Sequence, residues 1–305
     1  MVRGIIFGLA GAAVLLSNAA LAADLPPPLP PPMYQPAPVV QCCTSGWYLS
    51  GYVGVGMQRF NDFEHHQTNA AFVWPASWTI AQKDAGDTAF VGFGIGYQWN
   101  NWLRFDVTGE YRKKSNFKVV GQFNGIADFC PPDPIFGPPQ TCSDVYEFKH
   151  NAWVVLANAY LDLGTWWCFT PFIGAGVGAA RHEITGLTDV GYGFGFATLG
   201  TSTGGNVTTN TDTKWTSAWA LHAGVAYNVS NNVKIEFAYR YLNFGSIDTP
   251  VIACGPFGCA SSGPRAFYTM TNFTSNDFRV GLRVMLQQEA PAPAPAFAPP
   301  LMRKG

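Results

Sequence analysis

The chain has 305 residues and a formal net charge of −1; Asp, Glu, Lys and Arg make up 12% of it, against 15% for aromatic residues. So neutral a balance gives no electrostatic footprint for nucleic acid or for a strongly acidic partner. The charged fraction is about half of that usual in soluble domains, roughly 25%, which argues against a surface wholly bathed in water.

An export signal is expected at residues 1–22. Arg3 supplies a short positive region, Gly4 to Leu16 are almost wholly apolar, and Ala20-Leu21-Ala22 fits small-x-small cleavage after Ala22. The apolar run is too short to span a bilayer comfortably, and no later segment has about 18 consecutive apolar residues. No cysteine stands at the cleavage point, which argues against a lipoprotein. Residues 23–45 contain DLPPPLPPPMYQPAPVVQ and read as an extended periplasmic lead, and residues 287–305 form a proline-rich tail of the same character.

Eight candidate strands within residues 46–286 alternate with period two. The first candidate strand, Trp47 to Phe60, sets Leu49, Val53, Val55 and Met57 against Tyr48, Ser50, Tyr52 and Gln58. A hairpin follows. Before Asn100-Asn101, Val91, Phe93, Ile95, Tyr97 and Trp99 alternate with glycines and Gln98; after it, Leu103, Phe105, Val107 and Tyr111 alternate with Arg104, Asp106, Thr108, Glu110 and Arg112. Trp99 and Trp102 bracket the turn, as expected where a lipid-facing surface meets headgroups.

The fourth strand runs from about Phe148 to Leu163 with Trp153, Val155, Ala157, Ala159 and Leu161 outward. The fifth covers Pro171 to His182, the sixth Trp215 to Val229, and the seventh Val233 to Phe244. The eighth ends at Leu286, with Phe278, Val280, Leu282 and Val284 outward. Short connections around Asn100-Asn101, Gly164 to Thr170 and Ser230 to Asn232 alternate with long ones at 61–86, 115–147, 183–213 and 245–272. Short periplasmic turns and long outer loops are the pattern of outer-membrane barrels.

The expected fold is therefore all-β: an eight-stranded antiparallel up-and-down transmembrane β-barrel in the cell outer membrane. Trp47, Trp99, Trp102, Trp166, Trp167 and Tyr227 are expected to form one aromatic girdle, and Phe60, Phe117, Trp215, Phe244 and Phe273 the other. VGYGFGFATLG (Val190 to Gly200) leaves open a ten-stranded variant, a strand extension or a mobile loop.

The inner face carries Gly54, Gly56, Gly92, Gly94, Gly96, Gly174, Gly176 and Gly178 opposite long charged residues. The latter are Arg104, Asp106, Glu110, Arg112, Lys234, Glu236, Arg240, Arg279 and Arg283. An eight-stranded barrel is just wide enough for side chains to fill, so these should form a salt-bridged network. The competing reading of the same residues is an ion path.

Seven cysteines in an exported chain suggest disulfides. Cys130 and Cys142 flank a proline-rich segment and Cys254 and Cys259 flank GPFG, two candidate local pairs; a bridge from Cys42 or Cys43 to Cys168 is a further hypothesis. The spacing zinc needs is absent. No G-x-S-x-G, H-E-x-x-H or phosphate-loop motif occurs, so no enzyme and no resident cofactor is expected. His65-His66, with Trp74 and Trp78 nearby, could hold haem, or simply belong to a polar loop.

The ALAAD junction, GWYLSGYVGVG, NAYLDLG followed by PFIGAGVG, AYRYLNFG and the closing FRVGLRVML resemble the OmpA-like small outer-membrane proteins of alphaproteobacteria, of the RopB type. The resemblance covers roughly residues 46 to 286. It implies a barrel that supports envelope integrity and displays surface loops, with haemin binding in some relatives. The last strand departs from the usual terminal Phe or Trp, ending Met285-Leu286 before the tail. No peptidoglycan-binding domain is recognisable. Expected partners are outer-membrane lipid and lipopolysaccharide, the barrel-assembly machinery during insertion, and a haemin or host surface ligand. The competing functions are a small porin for ions or solutes and a surface binding protein.

Overall fold

Side chains that alternate apolar and polar along a strand can satisfy both faces only if one meets lipid or core and the other does not. The computed structural model obeys this throughout; it describes residues 45–67, 78–124, 141–192, 206–208, 211–251 and 266–286. The expected signal, most of the lead, and the tail lie outside these residues.

Thirteen strands occur among the described residues: β1 (Gly46–Arg59), β2 (Phe63–Gln67), β3 (Thr79–Ala85), β4 (Thr88–Gln98), β5 (Leu103–Asn124), β6 (Thr141–Asp162), β7 (Phe169–Tyr192), β8 (Asn206–Thr208), β9 (Asp212–Asn228), β10 (Val233–Asn243), β11 (Ile247–Asp248), β12 (Ala266–Met270) and β13 (Thr274–Met285). Eight of them, β1, β4, β5, β6, β7, β9, β10 and β13, pair antiparallel with their neighbours. β13 closes on β1 with Val53 opposite Val280. The ring has eight strands, not ten. Closure leaves no unpaired edge at membrane depth, where an unsatisfied backbone amide is costly. The seam is completed where the Leu286 amide donates to the Trp47 carbonyl at 2.8 Å.

The outward residues are those the alternation selects. Phe93 is 70% exposed and Val53 59%, whereas Arg240 and Arg283 are fully buried inside. β6 follows the same rule although both its faces are apolar: Trp153 and Val155 are exposed, and Val154 and Leu156 are buried in the lumen.

Local chemistry makes the short turns. The Asn100 side-chain oxygen accepts from the Trp102 and Leu103 amides at 3.0 and 2.8 Å, and Ser230 Oγ does the same for Val233 at 3.1 Å. The β6–β7 turn uses left-handed backbone at Gly164, Trp167 and Cys168. Trp47, Trp99, Trp102, Trp166, Trp167 and Tyr227 are exposed around this end.

The other end departs from expectation in two ways. Segments expected to be loops are partly sheet: β5, β6 and β7 have 22, 22 and 24 residues, about twice the roughly 9–11 that cross a bilayer. Their outer halves form a sheet with β3 and β8, and β7 runs two residues past Val190 as a strand extension. The expected outer girdle is also mostly absent. Trp215 faces outward, but Phe60, Phe117, Phe244 and Phe273 are buried in the mouth of the barrel. They occupy inward register positions, and contact with one another removes more apolar surface from water than a headgroup position would.

Candidate functional site

The lumen is built in layers by the inner register positions. Toward the short turns, Arg104 Nε lies 3.2 Å from Asp162 Oδ1, and Glu236 Oε1 bridges Arg104 Nη2 (3.6 Å) and Arg283 Nε (3.1 Å). Asp106 accepts from Tyr48 Oη at 3.1 Å and Asn158 Nδ2 at 2.7 Å. The next layer is a four-membered ring of charges. Arg112 contacts Glu110 at 3.0 Å and Asp277 at 2.7 Å; Arg240 contacts the same two carboxylates at 2.8 and 2.6 Å. Ser275 and Tyr52 hydroxyls donate to Asp277 and Glu110 at 2.6 and 3.1 Å. Leaving one such charge unpaired out of water costs several kcal/mol, so each bridge constrains the others.

The glycines make this packing possible. A Cβ on Gly96 would lie 2.2 Å from the Tyr48 ring, and one on Gly92 2.4 Å from that of Tyr52. On Gly56 it would meet Arg112 Nη2 at 2.2 Å and Asp277 Oδ1 at 2.3 Å. The void among Ser50, Asp106, Thr108, Tyr160, Glu236 and Arg279 measures about 10 Å³, room for about one water. Arg104 stacks over Tyr160 at 3.9 Å and Arg279 over Tyr52 at 5.0 Å.

All nine lumen charges expected from sequence lie inside; Lys234 is buried at the short-turn end and Glu236 is nearly so. Asp162, Asn158, Tyr48, Tyr52 and Ser275 complete the network. Period-two register places each of them inward, but their neutral or isolated character hid their part in it.

Above the charges sits an aromatic lid. β2, β12 and β11 form a separate small sheet that stacks Phe63 on Tyr268 at 4.5 Å. Tyr268 donates to the Tyr146 hydroxyl at 2.8 Å. Beneath it, His150 Nε2 and His182 Nδ1 share a 2.9 Å hydrogen bond, enclosed by Phe117, Phe244 and Phe273. Beside the lid, burial pushes the Asp144 carboxyl up to about 6; burial and then repulsion from Asp144 push Asp189 up to about 7.

His65 and His66 are residues of β2 rather than of an irregular loop, so their rings leave the strand on opposite faces. His65 packs edge-on against Tyr268 at 5.2 Å, and burial lowers it to about 4; His66 stacks on Phe267 at 5.0 Å. The expected pair therefore does not converge on one haem iron, and Trp74 lies outside the described residues. Cys168 is free and exposed, against the hypothesis of a bridge to Cys42 or Cys43. Cys142 is buried at the start of β6, while Cys130, Cys254 and Cys259 lie outside the described residues. Among the described residues no group of three or more His, Cys, Asp or Glu side chains could hold a metal ion.

Known proteins give this geometry a context. The outer membrane protein beta-barrel domain family matches residues 11–285. An uncharacterised protein of Brucella abortus is 28% identical over 284 residues, covering 87% of this chain and 92% of its own. Outer membrane protein PagN of Salmonella typhimurium is 28% identical, covering 63% and 70%. A Rickettsia typhi protein provisionally described as an adhesin is 26% identical, covering 80% and 89%. Among solved structures, OprG of Pseudomonas aeruginosa aligns over 79% of this chain and 97% of its own, at 11% identity and a TM-score of 0.46.

Proposed function

The chain belongs to the outer membrane protein beta-barrel domain family, and on that premise we propose that it is a closed structural barrel that stabilises the envelope and displays its outer sheet and loops, rather than a pore. The observation that carries this reading is the ring of Arg112, Arg240, Glu110 and Asp277, which spans the lumen from β5 to β10 and β13 with contacts of 2.6–3.0 Å. Ions would have to break several buried bridges to pass, and the Phe63–Tyr268 lid lies beyond them. The OmpA-like, RopB-type placement and docking on the barrel-assembly machinery through the Leu286 end of β13 belong to the same proposal.

Reconstitution of the mature protein in a planar bilayer tests it. A silent membrane, with folding confirmed by a heat-dependent gel shift, supports the plugged barrel. Reproducible single-channel steps overturn it in favour of the porin reading.

A second reading, binding of a host surface ligand, is favoured by the outer sheet of β3, β5, β6, β7 and β8, which carries the exposed Lys118–Glu147 pair outside the membrane. The provisional description of the Rickettsia relative suggests the same. Haemin binding, if it occurs there, would fall to His66 alone; undiminished binding by a His66→Ala variant removes it. The loop pairs Cys130–Cys142 and Cys254–Cys259 would stiffen that surface.

A further inference from the structure

The lipid-facing wall is not uniformly convex. A hollow of about 930 Å³ lies across β10, β13, β1, β4 and β5, within the size range of ligand pockets, about 300–1,000 Å³. Its floor follows from register. Tyr239, Phe278, Val55 and Ala89 stand side by side in one row across four strands. Ala89 is the small member of that row, and Gly51 and Gly109 stand lower on the same outward face. Large residues at the margins, Tyr239 and Phe278 on one side and Tyr111 on the other, stand above Val55 and Ala89.

The outer end of the hollow is cationic. β5 has a register shift between Arg112, opposite Ala152, and Ser115, opposite His150. Two residues therefore stand where one would, a bulge that re-aims side chains, and Lys113 and Lys114 both become exposed. Lys113 lines the hollow itself. Arg59 is exposed two rows outward from Val55 on β1. Lys118 and Lys214 in the outer sheet have carboxylate partners at 3.0 and 3.8 Å. Arg59, Lys113 and Lys114 have none within 4.0 Å among the described residues. Asp84 and Asp87 are exposed carboxylates at this end, and neither lies within 4.0 Å of the three cations.

We propose that this hollow binds one phosphorylated glycolipid of the outer leaflet, its acyl chains against Ala89, Val55 and Phe278 and its phosphate held by Lys113, Lys114 and Arg59. An occupant at this depth must be apolar below and anionic above the boundary. Lysines there attract anionic headgroups, and point-charge ammonium groups suit phosphate. The site is independent of whether the lumen conducts.

Native mass spectrometry of the full mature protein in detergent tests this, with bisphosphorylated lipid A, the same lipid stripped of phosphate, and phosphatidylethanolamine as probes. Lipid A is expected to saturate at one per barrel and to bind at least tenfold more tightly than either other probe. An Arg59→Gln/Lys113→Gln/Lys114→Gln variant should lose that tenfold preference while binding the dephosphorylated lipid normally. Ala89→Phe, which fills the floor and leaves the cations intact, should weaken both glycolipids. Both variants alter exposed side chains, and the heat-dependent gel shift confirms their folding. The proposal is overturned if lipid A fails to saturate, if either variant binds it within twofold of wild type, if phosphatidylethanolamine competes equally, or if the face instead pairs two barrels.

Discussion

Arg240 and Asp277 occupy directly opposed positions on β10 and β13, and their side chains meet at 2.6 Å in the middle of the barrel. Asp277 also holds Arg112, and Arg240 also holds Glu110, so one cross-strand pair ties together three strands. Removing one partner leaves a buried charge with too little compensation, a loss of about 3–5 kcal/mol. Arg240→Ala and Asp277→Ala should each lower the unfolding free energy of the refolded barrel, read from urea titration, by that amount. The double variant should cost clearly less than the sum; strict additivity would mean that the two groups do not act as a pair.

Gly56 and Gly51 lie on the same strand and should respond unequally to the same change. A methyl group on Gly56 intrudes on Arg112 and Asp277, whereas on Gly51 it meets nothing within 4 Å. Gly56→Ala is expected to cost about 1–3 kcal/mol, as overpacking does, and Gly51→Ala to stay within about 0.5 kcal/mol. Equal unfolding midpoints for the two variants would contradict the packed lumen.

The outer sheet should be more stable in mild acid. Asp144 and Asp189 have raised folded-state values of about 6 and about 7, against about 3.9 when unfolded. Their favourable contribution is therefore full below about pH 4 and is lost as pH rises through 6 to 7. His65, lowered to about 4, acts the other way: its contribution is present above about 6.5 and falls away as pH drops toward 4. Amide exchange in the outer halves of β6 and β7 should slow between pH 8 and 5.5 after correction for intrinsic rates. An Asp144→Asn/Asp189→Asn variant should flatten that trend. A wild-type profile already flat would remove the acid pair as its cause.

Cys168, free and exposed in the β6–β7 turn, reports orientation. An impermeant maleimide should label it only after the outer membrane is permeabilised, with the modified peptide identified by mass. Labelling in intact cells would place the short turns outside and invert the topology.

The sequence by itself determined the barrel. Period-two alternation assigned the side chains of the eight expected strands to lipid or lumen, because a strand has only two faces and a register slip would exchange them all. The strict order of short and long connections then pointed to an up-and-down barrel with its short turns at one end, and Arg104, Glu110, Arg112 and Arg240 could be placed inside before any coordinates.

Tertiary structure decided what the outer end became. The local pattern around Phe60, Phe117, Phe244 and Phe273 suits a headgroup girdle as well as a core. Only the convergence of four distant strands, and the lid that β2 and β12 lay over them, made burial the better solution. The same holds for His65 and His66, which adjacency suggested as partners and strand geometry separated. Which arginine meets which carboxylate, and where a bulge turns Lys113 and Lys114 outward, also depend on ring closure and register across non-neighbouring segments. Those distances do not exist in the linear chain.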